Sequence, residues 1–100
     1  YSAFQRRVVR RELMRDMDGL FDLRGRDVRA VFSQPELVRQ DEPMVIWQYR
    51  SADCVLDLYF SSVSAGAEIE PVAHYELRAR KVGAFEEVGA SACLSSLIQV

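Results

Sequence analysis

The chain reads as a single α+β domain: two N-terminal helices packed on an antiparallel sheet of roughly four strands, closed by a short C-terminal helix. Three observations predict this. Apolar residues recur at helical spacing near the start, the period falls to two between Glu36 and Arg80, and a helical period returns near the end. We divide the chain into an arginine-rich helical segment (1–22), a short helix (23–35), a sheet (36–80) and a C-terminal helix (89–98). One hundred residues support one sheet and its covering helices, and are too few for two independent cores.

The first helix is predicted over about 3–18. Ser2 followed three residues later by Gln5 forms a capping box, and Val9, Leu13, Met17 and Leu20 recur on one face with arginines between them. Gly19 and Gly25 bracket a turn, after which Val28, Val31 and Phe32 make a stripe of about two turns that Pro35 ends. Leu37 and Val38 then open a strand, Asp41-Glu42-Pro43 reads as a turn, and Met44–Arg50 is rich in β-branched and aromatic residues. The next strand alternates: Cys54, Leu56, Leu58 and Phe60 occupy one face, and Val55, Asp57 and Tyr59 the other. A small-residue loop from Ser61 to Glu70 separates it from a half-exposed strand over 72–80, where His74, Glu76, Arg78 and Arg80 alternate with apolar neighbours. Finally Ala90, Cys93, Leu94, Leu97 and Ile98 share one helical face, with Gly89 and Ser91 near its start.

That placement pairs the two cysteines. Cys54 begins the inward face of a strand and Cys93 lies on the inward face of the last helix, so a Cys54–Cys93 disulfide is expected, and with it an oxidising compartment, the competing reading being two buried free thiols in a reducing one. The spacing is neither that of a CxxC redox motif nor that of a zinc cage.

Hydrophobic residues form 49 % and charged residues 28 % of the chain, with five Gly and three Pro, which excludes disorder and collagen-like repeats. A net charge of -2 argues against a nucleic-acid partner, since phosphate neutralisation needs a cationic surface. The cations gather instead at Arg6, Arg7, Arg10, Arg11 and Arg15. On a helix Arg6, Arg7, Arg10 and Arg11 are expected to face an anionic membrane surface, the competing reading being a solvated face. With Tyr1 in the place of an initiator Met, the chain is expected to be a processed or trimmed piece of a longer one.

Catalytic chemistry is thinly provided for. His74 is the sole histidine, so neither a histidine metal cluster nor HExxH exists, and no phosphate loop or G-x-S-x-G elbow appears. Asp41, Glu42, Asp53, Glu68 and Glu70 read as solvated loop carboxylates, and Glu86 and Glu87 as residues preceding the last helix. No cofactor, no metal and no enzymatic activity are expected. A small hydrolase built on His74 or a carboxylate pair is the competing class. The residue types most enriched at interface centres are aromatics and arginine, which singles out Trp47, Tyr49, Arg50, Tyr59, Arg78 and Arg80 as an interaction surface, with Trp47 also readable as core.

Leu23-Arg24-Gly25, followed by Val28, Val31, Phe32 and Pro35, then Trp47-Gln48-Tyr49-Arg50 and Cys54 to Phe60, resembles the SmpA/OmlA family of bacterial outer-membrane lipoproteins, the BamE-like fold. The resemblance runs from about Leu20 to Arg80. Ser33 departs from it, standing where the family's turn glycine is usual, and so does Arg26, where a capping Ser or Thr is usual. The resemblance implies a periplasmic domain tethered to the outer membrane through a lipid-modified cysteine upstream of Tyr1. It also implies envelope proteins as partners, in outer-membrane assembly or maintenance. The same layout is similar to the repeat unit of β-lactamase-inhibitor-like proteins, which implies an alternative role as an enzyme inhibitor or ligand-binding module using an open sheet face.

Overall fold

The computed structural model describes residues 1–52, 54–61, 66–80 and 93–98. Helix α1 spans Ala3–Arg15, a 3-10 helix spans Met17–Asp22, and α2 spans Gly25–Phe32. Strands β1 (Leu37–Asp41), β2 (Met44–Arg50), β3 (Cys54–Ser61) and β4 (His74–Ala79) follow, and residues 93–97 are helical. The α+β class is therefore as the sequence predicts. The proposed start of the last helix, with Gly89, Ala90 and Ser91, lies outside the described residues.

Each helix begins where its capping chemistry dictates. The Ser2 side chain accepts from the Gln5 backbone N–H and the Gln5 side chain accepts from the Ser2 N–H, closing the predicted capping box on α1. The helix stops three residues before its predicted end at about residue 18, although the apolar stripe continues to Leu20. At Asp16 the backbone turns extended and the carboxylate accepts from the Asp18 N–H, so this residue caps the following 3-10 turn and no longer prolongs α1. Residues 1–22 are thus two short helices, which corrects the single helix expected there.

At the start of α2 no Ser or Thr is needed at residue 26. The Asp27 carboxylate reaches back to the Arg24 N–H at 3.0 Å, and the Gly25 N–H donates to the carbonyls of Ala67 and Glu70, both at 3.1 Å. Backbone approaches so closely here that a Cβ on Gly25 would lie 2.1 Å from the Ala67 oxygen. The loop before β4 is thereby fastened to the start of α2, helped by Val72 N–H donating to the Leu23 carbonyl at 2.9 Å.

The four strands form an antiparallel meander in the order β1-β2-β3-β4. Trp47 pairs with Leu58 and Tyr49 with Leu56, while Leu58 pairs with Tyr75. Opposed residues share a face, so Val45, Trp47, Tyr49, Leu56, Leu58 and Phe60 all point into the helix-covered core, where they meet Leu13, Leu20, Val28, Val31 and Phe32. Strand β1 is exposed along its whole length. It is an edge strand, and no described helix extends over it.

The terminal helix docks onto this core through Cys93, Leu94, Leu97 and Ile98, all buried. Cys54 and Cys93 form the expected disulfide, their Cα atoms 5.6 Å apart, inside the window that bridging requires. In the chain-entropy account, tying off a loop of 39 residues stabilises by roughly 4 kcal/mol. The Ser96 hydroxyl, 2.7 Å from that of Ser51, fixes the same corner.

Candidate interaction surface

The sheet's second face carries no described helix. Strand alternation and register bring to it Arg39 from β1, Ile46, Gln48 and Arg50 from β2, Val55, Asp57 and Tyr59 from β3, and His74, Glu76 and Arg78 from β4. Four of the six residues expected at an interaction surface lie on it or at its end: Arg50, Tyr59, Arg78 and Arg80. Trp47 and Tyr49 do not. They are 4 % and 3 % exposed, the Trp47 ring tilted against Phe60 at 4.8 Å and the Tyr49 ring tilted against Phe32 at 5.3 Å, so both belong to the core. The physical reason is register: Tyr59 pairs with Ile46, one position before Trp47, and one position exchanges the two faces of a strand.

Asp57 lies at the middle of this second face, where Ile46 and Val55 are buried as well. Asp57 is 3 % exposed, and its carboxylate accepts from Arg78 Nη1 at 2.6 Å and from Gln48 Nε2 at 2.9 Å. Gln48 turns its oxygen to Arg50 Nε at 2.7 Å. An array Arg50–Gln48–Asp57–Arg78 therefore runs across three strands, with every bond between side chains of complementary polarity. Asp57 needs this array because a carboxylate removed from water without partners is costly. The sequence places Asp57 on the outward face; what it does not contain is the pairing that makes it the centre. At one end of the array Arg50, Arg78 and Arg80 border a shallow polar depression of about 340 Å³ with Gln48 and Val55. Arg80 is held there by donating to the Ser51 carbonyl at 3.0 Å.

Next to Asp57 lie Tyr59 and His74, with ring centroids 5.1 Å apart, and His74 Nε2 lies 3.6 Å from Glu76. Partial burial, then the charges of Glu76 and Asp57, pushes the Tyr59 phenol above its ordinary range, against the smaller pull of Arg39 and Arg78. Tyr59 thus stays neutral and available as a hydrogen-bonding aromatic. His74 is exposed, as the sequence predicts.

The loop carboxylates divide. Asp41 and Glu42 are exposed at the β1–β2 turn, whereas Glu68 pairs with Arg29, whose guanidinium sits 5.2 Å from the Trp47 ring centroid. Glu68 is therefore a structural ion-pair partner and not a freely solvated loop residue. Asp53, Glu86 and Glu87 lie outside the described residues. Among the described residues, no group of three His, Cys, Asp or Glu side chains is placed to hold a metal ion, and no helix is long and apolar enough to cross a membrane.

The arginines of α1 do not form one face. Arg7 and Arg11 are exposed, and Arg6 is half-buried with Nη1 donating to the Tyr1 carbonyl at 3.3 Å. Arg10 turns inward, half-buried, its Nη2 donating to Ser95 Oγ of the terminal helix at 2.5 Å. It braces two helices and is removed from the membrane-facing set, because its position on α1 falls between the outer stripe and the core stripe. Comparison of the chain with protein-family models, curated proteins and solved structures finds no match in any of the three.

Proposed function

We propose that this chain is a non-catalytic, disulfide-tied interaction domain of the bacterial envelope, of the BamE-like lipoprotein type, that presents the sheet face not covered by its described helices to a protein partner. The observation that carries the reading is the Arg50–Gln48–Asp57–Arg78 array with Tyr59 beside it. It is a rigid, internally satisfied polar platform that leaves arginine and tyrosine edges available, the residue types that bury large area at interfaces with little rotamer loss. The Cys54–Cys93 disulfide supports an oxidising compartment, the periplasm in a bacterium. The positive φ of Ser33, where the family's turn glycine is usual, supports the resemblance at one of the two positions where the residue type departs from it.

The experiment is site-specific photocrosslinking in cells, with the crosslinker at Tyr59 and, as control, at the exposed Arg26 of α2. Adducts with a defined envelope protein from Tyr59 and not from Arg26, abolished by Arg78→Ala, are the expected result. Equal labelling from both sites, or adducts only with cytosolic proteins, would overturn the reading.

A further inference from the structure

The outer stripe of α1 combines exposed apolar and cationic side chains in a way the sheet face does not explain. At 100° per residue, Phe4, Val8, Arg11 and Arg15 fall within an arc of about 60°, and Leu13, two and a half turns beyond Phe4, lies opposite. Leu13 is 1 % exposed in the core, whereas Phe4 is 67 % and Val8 40 % exposed. Arg7, Arg11 and Arg15 are exposed along the same side, with Glu12 the one carboxylate within α1. Folding does not call for this arrangement: a phenylalanine left largely in water contributes little burial, and Arg7 in the first turns opposes the helix dipole, although Arg15 in the last turn is favoured by it.

We infer that this stripe docks on an anionic lipid surface, with Phe4 and Val8 entering the headgroup boundary and Arg7, Arg11 and Arg15 meeting lipid phosphates. Charge selects this occupant. A second copy of the same stripe would set three cations against three, while anionic headgroups complement them. The attraction is local, since the chain as a whole carries -2. Arg6 and Arg10 take no part, being turned to Tyr1 and Ser95. The inference is independent of the sheet-face reading, as it uses no residue of the sheet.

The test is co-sedimentation of the 100-residue chain with vesicles of phosphatidylcholine alone and of phosphatidylcholine mixed with phosphatidylglycerol. Binding is expected only to the mixed vesicles and is suppressed by salt. Affinity should fall about fivefold for each of Arg7→Gln and Arg11→Gln and about tenfold for Phe4→Ser. Arg39→Gln, an exposed cation on β1, should leave it unchanged. Because all these side chains are exposed, thermal unfolding should be the same for every variant, which separates loss of docking from loss of fold. No binding to the mixed vesicles at low salt, equal weakening by Arg39→Gln, or self-association that Phe4→Ser abolishes in the absence of lipid would each overturn the inference.

Discussion

Tyr49 Oη donates to the carbonyl of Ser33 at 2.9 Å, and Ser33 is the one non-glycine residue among those described with a positive φ, 74°. With ψ at -162°, Ser33 occupies a region of backbone space that only glycine enters without strain. The turn after α2 is thus held against a local penalty by α2 packing on one side and by the Tyr49 hydroxyl on the other. Ser33→Gly should relieve that penalty and stabilise the domain by about 1 kcal/mol, less than the full strain because glycine also gains freedom in the unfolded chain. Chemical denaturation checks it: the midpoint should rise at constant slope.

The same hydroxyl sets an alkaline limit. Burial pushes the Tyr49 phenol above its ordinary range, and the Arg29 charge opposes this only in part. A pKa raised on folding means that the protonated phenol is favoured in the native state. The stability it contributes is complete below the unfolded value near 10, and is lost as pH rises above that. Stability should fall above about pH 10 with an added slope near 1.4 kcal/mol per pH unit for this one proton. Tyr49→Phe should remove that component and cost about 1 kcal/mol at neutral pH, where the Ser33 carbonyl loses its donor. Thermal melts of both proteins across the alkaline range distinguish the two effects.

Much of this was legible beforehand, and the failures share a cause. The change of period after Glu36, the capping box at Ser2 and the alternation of β3 are local patterns, and local patterns survive into the fold. Whether Trp47 and Tyr59 share a face depends on the register between two strands, which one strand's pattern does not contain. Arg10 turns inward because of Ser95, 85 residues away. The end of α1 at Asp16 is different again. There two local signals conflict, the apolar stripe continuing to Leu20 and an aspartate able to cap, and the cap prevails. Asp57 was legible as an outward-facing acid in an apolar strand, yet its two partners come from neighbouring strands.

That array makes a quantitative prediction. Removing Arg78 leaves a nearly buried carboxylate with Gln48 as its sole partner in the array, so Arg78→Ala should cost about 2 kcal/mol. Asp57→Asn should cost less, since the amide carries no charge to compensate and its oxygen still accepts from Gln48. In a double-mutant cycle the two changes should couple by about 1 kcal/mol, measured by urea denaturation. A coupling indistinguishable from zero would mean that Gln48 alone satisfies Asp57, and that the array is not a unit.

The disulfide tests how the domain is held together. Cys54 and Cys93 are both buried, one at the start of β3 and the other in the terminal helix, so the bridge joins the sheet to the last described element of the chain. Cys54→Ser with Cys93→Ser should lower stability by about 4 kcal/mol from the lost loop constraint, with a further cost for placing two hydroxyls in an apolar site. Cys54→Ala with Cys93→Ala avoids that second cost, so its loss should approach the constraint alone. For a domain of this size about 4 kcal/mol is a large share of the total, and the loss should fall first on the contacts of the terminal helix, Arg10 with Ser95 and Ser51 with Ser96. Hydrogen exchange of the alanine variant reads this directly. Amides of residues 93–97 should lose protection before those of β2 and β3, whereas a uniform loss across the sheet would show that the terminal helix and the sheet unfold as one unit.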